Sequence, residues 1–315
     1  MPTPRELAMD AVTVGHASMD RVRISGREKL QPGGAAVYSA LAAKTFCRCG
    51  IVTRVGSDYP TGFIRELERW GVDTSGIKRV GGSSTRFEIE YTPSGQANYT
   101  GYHPGAGRGL RREDIPARYL TAKAYHIAPM SPRKQLSFVE YLREHTYGII
   151  SLNTHLSYFR NHRKEILSLI EKVDIFTIND HEAIRLTLSP SLEHAINVLK
   201  RRRHGIIVVT LGMYGSILLE DGEVSFSPSV VQSRVVDLTG CGDAFAGAFL
   251  ASYLKTEDAV RAANIANSVA AINASDWSFR AISGLRFGSI EAFQRYVVLR
   301  QVMQGERQSN LDSFY

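Results

Sequence analysis

Cysteine is nearly absent: Cys47, Cys49 and Cys241 are the only three in 315 residues. An odd, low number argues against a disulfide framework and for reduced thiols in the cytoplasm. Cys47-Arg48-Cys49 has no second Cys/His pair at zinc spacing, so two ordinary cysteines are expected there. No apolar run is long enough to span a bilayer. The first ten residues are polar and show no secretory signal. Dense charge is scarce too. The net charge is +7, yet Arg111-Arg112 and Arg201-Arg202-Arg203 are the only dense basic runs. Such a thin excess fits solvated faces and attraction for an anionic ligand. No RNA- or DNA-binding motif is found, so neither nucleic acid nor membrane is an expected partner. Several enzyme signatures are missing as well. There is no Gly-x-x-x-x-Gly-Lys-Ser/Thr, no Gly-x-Ser-x-Gly and no His-Glu-x-x-His. The nine histidines form no cluster with ligand spacing.

What is present is a globular composition. With 43% hydrophobic and 22% charged residues, the chain can bury a full core. Its length suits one large α/β domain or two smaller ones. Ala11-Val12-Thr13-Val14-Gly15 reads as a buried first strand, followed by a loop with His16, Ser18 and Asp20. Residues 21–32 alternate as one short, half-exposed strand. Pro32-Gly33-Gly34 then breaks into an alanine-rich helix over 35–45. A strand over 50–56 and a helix from Pro60 to Trp70, stopped by Gly71, complete a strand–helix–strand–helix order, which predicts a parallel sheet. Residues 76–103 interrupt that rhythm. The stretches 85–91 and 97–102 alternate about Pro93-Ser94-Gly95, the pattern of a hairpin. With the strand near residue 21 it would build a small second sheet suited to a lid or a dimer surface. Further strands are expected at 124–128, 148–152, 173–178, 205–211 and 216–220. Helices are expected at 132–146, 160–171, 180–187, 191–203, 242–254, 257–274 and 289–304.

The chemistry concentrates at Asp237-Leu238-Thr239-Gly240-Cys241-Gly242-Asp243. Val230, Val231, Val235 and Val236 before it read as a strand, and Ala244 to Leu250 after it as a helix. A glycine turn opening a helix directs free N–H groups at an anion. A carboxylate beside a phosphate site is costly unless it handles a proton or a metal, which singles out Asp243. Asp20 is placed either to hold a hydroxyl-rich ligand beyond a strand end or simply to cap a turn. Gly33 and Gly34 either let a flat ligand approach the backbone or form an ordinary turn.

The seven residues at 237–243 resemble the Asp-Thr-x-Gly-Ala-Gly-Asp signature of the PfkB, or ribokinase-like, carbohydrate kinases, with Leu238 and Cys241 in place of Thr and Ala. The other signatures of that family follow in order over nearly the whole chain: Gly15…Asp20, the paired Gly33-Gly34, the stretch from Val55-Gly56-Ser57-Asp58 to Gly71-Val72-Asp73, Asn179-Asp180-His181-Glu182, and Thr210-Leu211-Gly212-Met213-Tyr214-Gly215. The resemblance implies a ribokinase-like three-layer α/β/α fold with a mostly parallel central sheet and a small β lid. It implies one kinase domain over 1–315, with lid segments at about 20–32 and 76–103. Asp243 would be the base, and the N–H groups of Gly240, Cys241 and Gly242 the anion hole. Asp20, Gly33, Gly34 and Tyr38 would face the substrate, and Asn179, Thr210, Gly212 and Gly215 the nucleotide. Asn267 would be an adenine neighbour or a solvent-facing residue. Glu182 would order Mg²⁺ through water, with ATP as donor and a K⁺ site by analogy near 235–239 and 270–280. The implied reaction is ATP-dependent phosphorylation of a small sugar or polyol, with a homodimer formed through the lid as a candidate assembly. Tyr38 stands where the family has a sugar-contacting Asn, and Leu152-Asn153-Thr154 where Asp-x-Asn is more usual. With the aromatic hairpin (Phe87, Tyr91, Tyr99), Tyr38 motivates a nucleoside or inositol kinase as the alternative, and the altered substrate motif a non-catalytic ligand-binding relative.

Overall fold

The computed structural model describes residues 8–24, 26–92, 97–201, 205–230 and 235–312. Among these, thirteen strands form two sheets. In chain order they are β1 Ala11–Val14, β2 Ser18–Ile24, β3 Arg27–Gly33, β4 Cys49–Val55, β5 Val72–Arg79, β6 Arg86–Tyr91, β7 Ala97–His103, β8 Ala124–Ile127, β9 Ile149–Asn153, β10 Ile175–Asn179, β11 Ile206–Thr210, β12 Gly215–Glu220 and β13 Glu223–Pro228. The helices are α1 Ala35–Ala43, α2 Thr61–Trp70, α3 Pro132–His145, α4 Phe159–Ile170, α5 Asp180–Thr187, α6 Leu192–Lys200, α7 Cys241–Thr256, α8 Ala259–Ala274, α9 Arg280–Ser283 and α10 Ile290–Asp312.

The large sheet runs β13-β12-β11-β10-β9-β8-β1-β4-β5. Every pairing from β11 to β5 is parallel, and β12 and β13 close one edge antiparallel. Central strands such as Ala11–Val14 are buried on both faces, as parallel strands between helices must be. One core joins α1, α2, α7 and α8 to the sheet, and a second joins α3 to α6 to its other face. These are the three layers of the ribokinase-like fold. Each fully buried large side chain, Phe138 and Phe249 for example, contributes about 1.5–3 kcal/mol. Helix α7 is buried from Ala244 to Ser252. It crosses α1 so closely that a side chain at Gly247 would strike the Ser39 carbonyl. The two helices are therefore in backbone contact, with no side chain between them at this point.

The small sheet has the order β3-β2-β6-β7. Its own core is Val22, Ile89 and Tyr91, packed against Phe87 and Trp277. The expected single strand over 21–32 is in fact the hairpin β2–β3, turned at Gly26 with φ of +77°. Pro32 and Gly33 still pair with Met19 and Ser18. The proline fits because β3 is an edge strand. The small-sheet segment begins at Arg86 rather than residue 76, since Val72–Arg79 pairs with β4 in the main sheet. β13 was not expected either. Val235 and Val236 are not a strand: the Val236 N–H bonds to the Ala274 carbonyl at the end of α8 rather than to a sheet. Val231 lies outside the described residues.

Candidate active site

Strand order reverses at β1, which has β4 on one side and β8 on the other. A crevice opens beyond the carboxyl ends of strands at such a point. There a cavity of about 460 Å³ is lined by His16, Asp20, Gly34, Tyr38, Pro129, Gly240 and Asp243 on one side and by aromatic residues on the other.

The start of helix α7 lines one end of this cavity. Its N-cap, Gly240, has φ of +71°. A side chain there would be strained and would also strike the Tyr38 ring beneath it. Tyr38 sits on α1, which Gly247 locks to α7. The turn N–H groups lie at the positive end of the helix. That of Cys241, however, is turned onto the Leu238 carbonyl 3.3 Å away. Gly242 is exposed, and a side chain there would meet nothing within 4 Å. The Cys241 thiol accepts a bond from Asn273 Nδ2 at 3.4 Å, and burial pushes it up to about 12, so it stays protonated.

Asp243 is half-buried in the first turn. Lost hydration pushes its carboxyl up to about 6, against the pull of a hydrogen bond from Asn153. That bond runs from Asn153 Nδ2 to Asp243 Oδ1 at 2.9 Å. Asn153 ends β9, and its own carbonyl accepts a bond from Gln135 on α3. Asn153 was noted in the sequence only as part of a departure from pattern. What it touches depends on β9 lying next to α7, which no local signal carries.

Asp20 is buried, and desolvation pushes it up to about 6, partly offset by hydrogen bonds that include the Phe87 N–H. Gly33 makes room for it, since a side chain at 33 would collide with the Asp20 carboxylate. Gly34 has φ of +105° and lies against the His16 carbonyl. Tyr38 lines the cavity with its ring, but its hydroxyl bonds to Ser278 Oγ at 3.2 Å. It therefore does not replace the polar contact of an Asn.

The opposite wall is aromatic: Phe87, Tyr99 and Tyr102 from β6 and β7, with His155 and Tyr158 facing them. Tyr99 is 54% and Tyr102 47% exposed, a large solvated apolar surface inside a cleft. Phe87 and Tyr102 rings are 5.1 Å apart, and Tyr99 reaches His155 at 6.2 Å. Tyr91 is not in this wall. Its side chain turns toward Asp237.

Asn179 and Glu182, expected to serve the nucleotide and its metal, form a reciprocal cap on α5. Asn179 Oδ1 accepts the Glu182 N–H at 2.8 Å, and Glu182 Oε2 accepts the Asn179 N–H at 3.2 Å. Glu182 Oε1 accepts the Leu156 N–H at 3.0 Å. Burial pushes Glu182 up to about 7, eased by those N–H groups and reinforced by Asp243. Thr210 ends β11, and Gly212 and Gly215 have φ of +58° and +118°. Met213 and Tyr214 between them are exposed. Asn267 is buried, not solvent-facing, and its amide bonds to Ser216, Ser227 and Pro228. It ties α8 to the β12–β13 hairpin.

The model of the pfkB family of carbohydrate kinases matches residues 8–280. The chain belongs to that family. This kinase is 30% identical over 249 residues to the cytidine kinase of Thermococcus kodakarensis, covering 78% of this chain and 88% of that one. It is 26% identical over 282 residues to the nucleoside kinase of Methanothermobacter thermautotrophicus, covering 85% and 90%. An E. coli protein assigned to ribokinase II and solved with ATP and Mg²⁺ has the same fold, with a TM-score of 0.74 at 20% identity over 93% of this chain and 100% of that one. Among the described residues no helix is long and apolar enough to cross a membrane, and no three His, Cys, Asp or Glu side chains gather into a metal site.

Proposed function

We propose that this kinase phosphorylates the ribose of a nucleoside, with ATP as donor. The observation that carries this reading is the wall formed by Phe87, Tyr99, Tyr102 and Tyr158. A free sugar would leave that apolar surface wet, whereas a nucleobase would cover it. Stacking of a base on an aromatic side chain is worth about 1–3 kcal/mol. The two archaeal relatives that act on nucleosides support the same choice. The sugar end would then lie toward Asp20 and Gly34, with one hydroxyl directed at Asp243.

Asp243 takes the proton from that hydroxyl as it attacks the γ-phosphorus, and Asn153 holds the carboxylate in place. The turn at Gly240 and Gly242 receives the charge of the transferring phosphoryl group. Thr210, Gly212 and Gly215 line the nucleotide, with Asn179 behind them. Glu182 would hold Mg²⁺ through water, its two oxygens fixed in place by backbone N–H groups. When bound, Mg²⁺ neutralises charge on the phosphates of ATP. Asp237 already accepts bonds from Tyr91, Thr239 and Ser278. A K⁺ ion there would share Asp237 with those three donors. The chain works as one unit, with the small sheet as its lid. A second copy would add along that lid. Three free cysteines fit a cytoplasmic enzyme.

The test is a panel of cytidine, adenosine, inosine, ribose, fructose and inositol with ATP and Mg²⁺. At least one nucleoside should exceed every free sugar or polyol in kcat/KM by about tenfold, the factor that 1.4 kcal/mol of stacking supplies. A free sugar or inositol at the head of the panel sinks this reading.

A further inference from the structure

Asp237 opens the anion-hole turn, and its surroundings are unusual for a residue outside the cavity. Its Oδ1 accepts the Tyr91 hydroxyl at 2.5 Å and the Thr239 N–H at 2.8 Å. Its Oδ2 accepts the Ser278 N–H at 2.9 Å. A hydroxyl carries one proton, so Tyr91, having given its own to Asp237, accepts from Thr239 Oγ1, also 2.5 Å away. Tyr91 belongs to the small sheet, and everything it bonds to here belongs to the turn. Ser278 has φ of +56°, a conformation costly for a non-glycine residue and retained only where its surroundings hold it. From that position its side chain meets the Tyr38 hydroxyl, and Tyr38 lies directly under Gly240. The turn is thus held from below by Tyr38, from behind by Ser278 and from the small sheet by Tyr91.

We infer that Tyr91 is a positioning residue for phosphoryl transfer: when the small sheet closes over the acceptor, the Tyr91 hydroxyl fixes Asp237 and Thr239 and so sets the Gly240–Gly242 turn. This rests on the kinase reading above. The anion hole then depends on the small sheet through Tyr91 as well as on α7. A second clasp allows the role to be separated from simple tethering. Trp277 Nε1 donates to Gln31 Oε1 on β3 at 2.8 Å, and the Trp277 ring packs on Tyr91. Gln31 holds the same sheet but bonds to nothing in the turn.

The experiment compares Tyr91→Phe and Gln31→Leu with the wild type, using the best acceptor of the panel. Tyr91→Phe should lower the single-turnover rate at saturating acceptor and ATP by about tenfold, the effect of one strong hydrogen bond. Gln31→Leu should raise the acceptor KM and leave that rate unchanged. If both variants shift only KM, Tyr91 is a tether and the inference is overturned. Hydrogen exchange on the wild type gives a readout that needs no variant. Acceptor alone should protect the amides of 239–243 together with those of 86–91, and protection confined to 86–91 overturns the inference even if Tyr91→Phe does not fold. Should a free sugar head the panel, the nucleoside reading fails while this test runs unchanged with that sugar.

Discussion

At the residue scale, Asp243 combines two opposed influences: desolvation raises its carboxyl to about 6 and Asn153 restrains it. A base must be ionised to act. The acid limb of kcat against pH should therefore fall near 6, with activity rising as pH increases through it. Asp243→Asn should lower kcat by ~10²–10⁴-fold. Asn153→Ala keeps the base but removes a hydrogen bond to its charged form, so the carboxyl moves further up. Its acid limb should shift to higher pH, with a kcat loss that is partly recovered at pH 8. A pH–rate profile of the purified variant reads both, and an unmoved limb would show that Asn153 does not act on Asp243.

The same desolvation bears on stability. A carboxyl whose folded pKa lies above its unfolded value of about 4 contributes stability that is fully present below pH 4 and is lost as pH rises through the folded value. For Asp20 and Asp243 that window runs from about 4 to about 6. Asp243→Asn should therefore melt higher than the wild type at pH 8, and this gain should shrink on acidification to pH 4. A calorimetric scan at the two pH values checks it.

At the scale of elements, the start of α7 distinguishes two glycines that read alike in the sequence. Gly240 needs a left-handed backbone and rests on Tyr38, whereas Gly242 is open. Gly240→Ala should destabilise the fold by about 1–3 kcal/mol and abolish activity. Gly242→Ala should leave the melting temperature within experimental error and raise the KM for ATP, since its methyl group projects where phosphate would sit. Equal melting temperatures for the two variants would contradict the structure.

These elements also show what a sequence carries. The 237–243 turn and the hairpin 85–102 were legible because each signal is local, glycine spacing in one and period-two alternation in the other, whereas the reciprocal cap of Asn179 and Glu182 was not read as one. β5 was missed because Asp73, Thr74, Ser75 and Gly76 blur its alternation, and it is set by pairing with β4. β13 was missed at the other edge although Val224 and Phe226 alternate with polar neighbours, and it is held by antiparallel pairing with β12. The strand expected at 235–236 rested on β-branched propensity, which the backbone bond to Ala274 overrode. Asn153 with Asp243, and Tyr91 with Asp237, lie 90 and 146 residues apart, beyond any local pattern.

At the scale of the whole molecule, the cleft has walls of different origin. Asp243, Gly240 and Tyr38 stand on α1 and α7, which Gly247 joins without a side chain between them. Phe87, Tyr99 and Tyr102 stand on a separate four-stranded sheet with its own small core. That division bears on how the enzyme acquires new acceptors. Substitutions on β7 alter the shape seen by the incoming ring while leaving the proton acceptor and its floor untouched, so a library confined to Tyr99 and Tyr102 should yield active variants with changed preference. A library at Tyr38 should mostly yield inactive ones. The helix crossing at Gly247 thus makes acceptor choice separately inheritable from catalysis, and a lineage can change its diet without rebuilding its engine.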